Sequence, residues 1–138
     1  LGDVEKVLIH DAARPIVPTT VISRLLAALE VHEGGIPVLP VVDSLAFERD
    51  GMMDGSADRN ALRRVQTPQA FRFAAIMAAH RAWTDAPDAG DDAQVLRANG
   101  GNVAMVAGDE AMRKLTFAED FMTDMPPVRM GMGYDVHR

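Results

Sequence analysis

Residues Val4–Ile9 read VEKVLI, and residues His10–Pro15, directly after them, read HDAARP. The first stretch is a short, β-rich apolar run of the kind buried in a parallel sheet. The second is a polar loop closed by a proline. Pro18-Thr19-Thr20 opens a helix, with Thr19 or Thr20 as its cap and Val21, Ile22, Leu25, Leu26 and Leu29 on one face at helical spacing. Gly34-Gly35 stops that helix. Ile36–Val42, IPVLPVV, is a second apolar run, and its two prolines predict a short or irregular strand. A strand, a helix and a strand in this order predict an α/β fold, with a mostly parallel sheet and flanking helices.

The rest of the chain extends that pattern. Residues 43–66 alternate more weakly and carry turn signals at Asp50-Gly51 and Asp54-Gly55. They predict a polar hairpin arm that returns as a strand over Arg63–Gln66. Thr67-Pro68-Gln69 is a turn, Phe71–Trp83 an alanine-rich helix, and Asp85–Asp91 a loop. Asp91 or Asp92 caps a helix running to about Ala98, which Asn99-Gly100-Gly101 ends. Val103–Val106 is a further strand, Gly108–Thr116 a loop, and Phe117–Met122 a short helix. Met125-Pro126-Pro127 reads as a linker and Val128–Met132 as a last strand. No internal repeat or low-complexity tract is present.

Composition narrows the function. The chain has 138 residues, no cysteine, and a net charge of −6 from 14 basic and 20 acidic residues. A disulfide scaffold, a cysteine nucleophile and thiolate metal sites are excluded. Nucleic-acid binders carry basic stripes. Here Lys6 and Lys114 are the only lysines, the arginines are dispersed, and one Tyr and one Trp are available for stacking. Nucleic acid is therefore not an expected partner, whereas a small anion needs only a few local cations. No apolar run reaches a membrane span, and no targeting signal is visible, so a bacterial cytoplasm is the default setting. The chain opens on Leu rather than Met, and its last residues read like a beginning, which suggests a segment of a longer polypeptide.

In α/β sheets, ligands bind beyond the carboxyl ends of the strands. Asp11 stands there after the first strand. It can hold a divalent cation or a ribose hydroxyl, and Ala12 and Ala13 permit close approach. Arg14 can pin a phosphate, or simply brace the acid in a strand-end salt bridge. Arg59, with Arg63 and Arg64 nearby, offers a fork for phosphate or a charged arm surface. Thr67 either turns the chain or presents a hydroxyl. Lys114, between a strand and a helix, can stabilise charge on a transferring phosphoryl group or be a solvated surface lysine. Asp135 and His137, alternate residues at the end of the last strand, can share a metal but do not make a complete site.

HDAARP after a strand, Asp58-Arg59-Asn60 before a strand ending in Thr67-Pro68-Gln69, the Asp91-Asp92 helix start and KLTFAED at 114–120 occur in a specific order. Over Val4–Met122 the chain resembles 2-C-methyl-D-erythritol 4-phosphate cytidylyltransferase, an enzyme of non-mevalonate isoprenoid synthesis with a nucleotidyltransferase, Rossmann-like fold. The tail MGMGYDVHR at 130–138 resembles the start of 2-C-methyl-D-erythritol 2,4-cyclodiphosphate synthase, and the two together resemble a bifunctional fusion. The domain organisation implied is 1–124 for the C-terminal part of the transferase, 125–127 for a linker and 128–138 for the start of the cyclase.

The resemblance implies transfer of a cytidylyl group from CTP to methylerythritol 4-phosphate, with pyrophosphate released and Mg²⁺ present. It implies that Asp11 holds Mg²⁺ and that Ala12 lines the nucleotide. Ser44, in place of a family threonine, binds substrate together with Arg14, Thr67 and Thr116. Arg59 reaches the methylerythritol phosphate from the partner of a homodimer formed through the arm. Lys114 stabilises the pentavalent α-phosphate. Glu110, one residue before the family's acid, is the candidate second Mg²⁺ ligand. Asp135 and His137 correspond to ligands for a divalent metal such as Zn²⁺ in the cyclase. The family's N-terminal strands and glycine-rich triphosphate loop have no counterpart in these 138 residues, so the chain alone is expected to have little or no activity. The competing expectations are a metal-dependent phosphorus–oxygen lyase, read from the tail, and a non-catalytic dimerisation module built on the arm.

Overall fold

The computed structural model describes residues 3–84 and 89–116. The helix expected at 117–122, the linker at 125–127 and the strand at 128–132 lie outside the described residues. Seven strands and three helices are formed among the described residues: β1 Lys6–Ile9, α1 Thr19–Ala28, β2 Gly34–Pro40, β3 Leu45–Arg49, β4 Met52–Ala57, β5 Arg63–Val65, β6 Gln69–Arg72, α2 Phe73–Ala82, α3 Asp92–Ala98 and β7 Val103–Ala107.

The centre is β2. Gly34 and Gly35 pair with β6 on one flank and with β7 on the other, and Val38 pairs with both β5 and β7. β5 and β6 thus lie end to end along one flank, and β1 pairs with β6 beyond them. The α/β class and flanking helices agree with the sequence. Strand sense differs from the mostly parallel expectation. Among the described residues only β2–β7 is a parallel pair, and β1–β6, β2–β6 and β2–β5 are antiparallel. The difference comes from one segment. That segment is Arg63–Arg72, both strands of which run antiparallel to β2: β5 was expected as a strand, while residues 69–72, read as part of a turn and a helix start, are β6, which runs back between β1 and β2.

Burial explains why Phe71 is in a strand despite its alanine-rich surroundings. Side chains alternate across a strand. Ala70 faces Val21, Leu25, Leu29 and Met112 on the α1 side, while Phe71 faces Ile36, Ile76, Leu96 and their neighbours on the α2–α3 side. Both faces are covered, and the apolar drive for two contacts outweighs a weak helical propensity. Gly34 permits the second layer to approach, since a Cβ there would meet Leu96 Cδ2 at 2.9 Å and Phe71 Cδ1 at 3.1 Å.

Several local expectations are corrected. Pro18, not Thr19 or Thr20, occupies the cap position of α1, with no side-chain cap bond. The helix ends at Ala28, and Gly34-Gly35 begins β2 rather than stopping the helix. Leu26 is not on the buried face. The prolines do not break β2. Pro37 has no N–H to donate and falls in the gap between the two stretches that β2 pairs on its β5–β6 flank, a position proline tolerates.

The arm forms as expected. β3 and β4 make a separate antiparallel pair. Asp50 and Gly51 turn it with φ of 52° and 78°, the two positive values a tight hairpin needs. Asp54-Gly55 is not a second turn: it sits within β4 as a bulge opposite Phe47, where the register shifts.

Phe71→Ala is expected to lower unfolding stability by about 3–5 kcal/mol, because nothing around Phe71 can collapse into its volume. Leu26→Ala, on the exposed side of α1, is expected to stay within about 0.5 kcal/mol. Urea titration monitored by circular dichroism checks both.

Candidate active site

β1, β2 and β7 point the same way, so the chain segments that leave their carboxyl ends gather at one edge of the sheet. Asp11 follows β1, the arm follows β2, and Lys114 follows β7 after a 3-10 turn at Glu110–Met112. Thr67 lies in the break between β5 and β6, at the same edge, because Ile9 pairs with Gln69.

The Asp11 loop is held from within. Ala13 N–H donates to Asp11 Oδ1 at 3.0 Å, and Arg14 N–H donates to the Asp11 carbonyl at 2.9 Å. An aspartate that bonds its own backbone two residues on fixes a tight turn, and exposed Ala12 is left at its tip. Asp11 N–H donates to Thr67 Oγ1 at 3.0 Å, and that oxygen is 3.1 Å from His10 Nδ1. His10 Nε2 is 2.8 Å from the Arg14 carbonyl, an obligate acceptor, so Nε2 carries the proton. In the neutral ring Nδ1 then accepts the Thr67 hydroxyl proton. The hydroxyl lone pairs are in this way directed at the Asp11 amide.

Lys114 Nζ lies 3.0 Å from Asp11 Oδ2. The lysine side chain is 51% exposed and the aspartate 30%. A pair this open contributes about 0–1 kcal/mol to stability. Its significance is placement: a cation and a carboxylate, from loops far apart in sequence, meet beyond the carboxyl ends of β1 and β7. The Lys114 hydrogen bond, then the Ala13 N–H, hold the Asp11 carboxyl below the usual aspartate range. Leu115 N–H donates to the Ala13 carbonyl at 2.9 Å, and Arg14 Nη1 donates to the Met112 carbonyl at 2.6 Å, which ties the two loops together. Arg14 Nε is buried with no hydrogen-bond partner. Thr116 is the last described residue, two beyond Lys114.

The structure therefore brings Asp11, Arg14, Thr67 and Lys114 together. Ser44 and Arg59 are elsewhere, at the base of the arm. Both are exposed, and Arg59 Nη1 donates to the Val42 carbonyl at 2.6 Å. The Glu110 carboxylate pairs with Arg64 Nη2 at 2.5 Å, whereas Asp11 pairs with Lys114. Among the described residues no three His, Asp or Glu side chains group as a metal cage. Mg²⁺ typically takes one or two carboxylates and completes its shell with water and phosphate oxygens. Asp11 fits that mode as a single carboxylate, once Lys114 turns from Oδ2 to a ligand. Asp135 and His137 lie outside the described residues.

Sequence reading assigned no role to Gln66, Gln69 or His10. Gln66 is buried, and its amide takes both backbone groups of Asp109: Nε2 donates to the carbonyl at 2.8 Å and Oε1 accepts the N–H at 3.1 Å. Gln69, also buried, donates to Asp91 Oδ2 at 3.0 Å and accepts Ala93 N–H at 3.1 Å. Asp91 in turn caps α3 by accepting Gln94 N–H, as expected. Two glutamines flanking Thr67-Pro68 in an apolar strand were the available signal, since buried amides find partners.

The chain is similar to known proteins over most of its length. The family model described as "IspD: 2-C-methyl-D-erythritol 4-phosphate cytidylyltransferase" matches residues 1–125. The chain belongs to the IspD family. It is 66% identical over 134 residues to the bifunctional enzyme IspD/IspF of Erythrobacter litoralis, covering 97% of this chain and 35% of that protein. It is 55% identical to the enzyme of the same description from Novosphingobium aromaticivorans, covering 96% and 35%. The chain thus spans about a third of the length of the curated relatives it matches. Among solved structures, the cytidylyltransferase of Thermus thermophilus superposes with a TM-score of 0.78 at 36% identity, covering 88% of this chain and 61% of that one. The bifunctional IspDF of Campylobacter jejuni gives 0.73 at 30% identity, covering 87% and 30%.

A depressed aspartate stabilises the fold above its unfolded pKa, near 3.8, and that contribution is lost as pH falls through the lower folded value. The stability difference between the native chain and Lys114→Met is expected to be constant above about pH 5 and to shrink below 3.8. Urea midpoints measured from pH 7 to pH 3 check this, and an unchanged difference across that range would remove the pairing.

Proposed function

We propose that this chain carries part of the site for cytidylyl transfer from CTP to 2-C-methyl-D-erythritol 4-phosphate. An oxygen of the 4-phosphate attacks the α-phosphorus of CTP. The new P–O bond forms as the bond to the β-phosphate bridging oxygen breaks, and pyrophosphate leaves with that electron pair. No covalent enzyme intermediate is needed, so catalysis rests on positioning and on stabilising charge at the α-phosphate.

The observation that carries this reading is the Lys114–Asp11 pair at the carboxyl edge of the sheet. Lys114 exchanges Asp11 for the α-phosphate oxygens as negative charge builds there. Asp11 is the carboxylate for Mg²⁺, which supplies neutralisation of the triphosphate when bound. Thr67 fixes the Asp11 backbone and lies beside the methylerythritol group. Ala12, at the tip of the turn, leaves room for the nucleotide. Arg14 and Thr116 complete the substrate contacts. Ser44 and Arg59, at the arm base, serve the methylerythritol phosphate. Arg59 does so across a homodimer formed through the arm, whose Phe47, Met52 and Met53 are 59%, 72% and 70% exposed. Residues 1–124 form the transferase part, and 128–138 begin a second, cyclase-like part. Among the described residues no helix is long and apolar enough to cross a membrane.

The test replaces the matching segment of the Erythrobacter litoralis relative with this chain. Pyrophosphate release is followed with CTP, methylerythritol phosphate and Mg²⁺. The chimera is expected to turn over, and Lys114→Ala to lower kcat by roughly 10²–10³-fold, the range for removing a charge-stabilising donor. The 138-residue chain alone is expected to stay at background. A folded chimera that is inactive, or one indifferent to Lys114→Ala, would refute the reading.

A further inference from the structure

We propose that Gln66 is the positioning residue for Lys114: by gripping the backbone of Asp109 it fixes where the lysine loop leaves the sheet, and so sets Lys114 against Asp11. The inference deepens the cytidylyl-transfer reading and rests on it for the role of Lys114.

β7 pairs with β2 as far as Ala107, and Gly108 N–H donates to the Val38 carbonyl at 2.9 Å. The β2–β7 ladder ends there, and the last two residues of β2, Leu39 and Pro40, pair with β5 on the other flank. The Gln66 amide takes over. It offers Asp109 one donor and one acceptor, the pair a neighbouring strand would present. Both partners are fixed backbone groups, so the amide has one satisfied orientation. Gln66 is itself anchored, since its N–H donates to the Pro37 carbonyl at 2.9 Å.

From Asp109 the path to Lys114 is short and continuous. Asp109 Oδ1 accepts Ala111 N–H at 2.8 Å and starts the 3-10 turn. That turn buries Met112 against α1, and its carbonyl receives Arg14. Leu115 N–H then meets the Ala13 carbonyl, with Lys114 beside it. Gly108 is shaped to the same contact: a Cβ there would overlap Gln66 Oε1. Thr67, next in sequence to Gln66, holds Asp11 by its amide. Two consecutive residues thus hold the two loops that contribute the pair. A glutamine that only satisfied its own burial would have no need of a partner on the lysine loop.

Amide hydrogen exchange on the folded 138-residue chain tests this without substrate. In Gln66→Ala, protection of the Met112 and Leu115 amides is expected to fall at least tenfold more than that of Phe71 and Leu96. Gln66→Glu keeps the acceptor but loses the donor, and is expected to give a smaller loss confined to the same two amides. Gly108→Ala is expected to reproduce the Gln66→Ala pattern. Equal losses at all four amides, or no loss at the loop in Gln66→Glu if Gln66→Ala does not fold, would overturn the proposal. In the active chimera, Gln66→Ala is expected to lower kcat, and the double variant with Lys114→Ala to be no slower than Lys114→Ala. Losses that multiply would also overturn it. The exchange result stands whether or not the chimera transfers cytidylyl groups.

Discussion

The segment from Arg63 to Arg72 pairs with β2 in two registers, and the break between them is the constraint on which the site depends. β5 meets the carboxyl half of β2 and β6 meets its amino half. The residues between, Gln66 to Pro68, lie at the carboxyl edge of β1, β2 and β7, with only the Gln66 N–H still donating to β2, at the Pro37 carbonyl. Each polar side chain there or flanking it then finds a task. Thr67 takes the Asp11 amide, Gln66 takes Asp109, and Gln69 takes Asp91 and the first turn of α3. Three loops from distant parts of the chain are fastened to one short stretch. Leaving any buried partner of these groups unsatisfied costs about 1–3 kcal/mol, so the arrangement is both a stability feature and a positional one.

The sequence made the layers legible and the strand order less so. Val21, Leu25 and Leu29 on the buried side of α1, the cap of α3, the strand at β7 and the hairpin turn at Asp50-Gly51 follow from local chemistry, and they form where that chemistry puts them. β6 was not legible. Its four residues carry no period-2 alternation, since Gln69, Ala70 and Phe71 are all buried, and an alanine-rich helix follows directly. Only the tertiary environment distinguishes that stretch from a helix start. The same applies to Pro37, tolerated in a central strand because its missing donor coincides with a gap in the neighbouring pairing.

For the site, residue types that bear charge were legible one by one, and their partners were not. Asp11 and Lys114 stood out as an acid and a rare lysine after strands, and the structure joins them. Glu110, one residue out of the family's place, pairs with Arg64, a partner that spacing does not reveal. The two glutamines flanking Thr67-Pro68 were a weaker signal, because an amide has no charge to mark it. Their importance arises only when burial makes each of their hydrogen bonds obligatory.

The central place of β2 also governs how the chain reaches its fold. β2 is made early, yet Gly34 pairs with Phe71 and Val103, and β1 waits for β6. Nearly every ladder joins residues distant along the chain, and the arm hairpin is the exception. Topologies of this kind fold slowly, because loops must close before any pairing rewards them. During synthesis the flank of β2 that β7 covers therefore stays open until Ala107 has left the ribosome. An edge open for that interval is one on which newly made chains can associate.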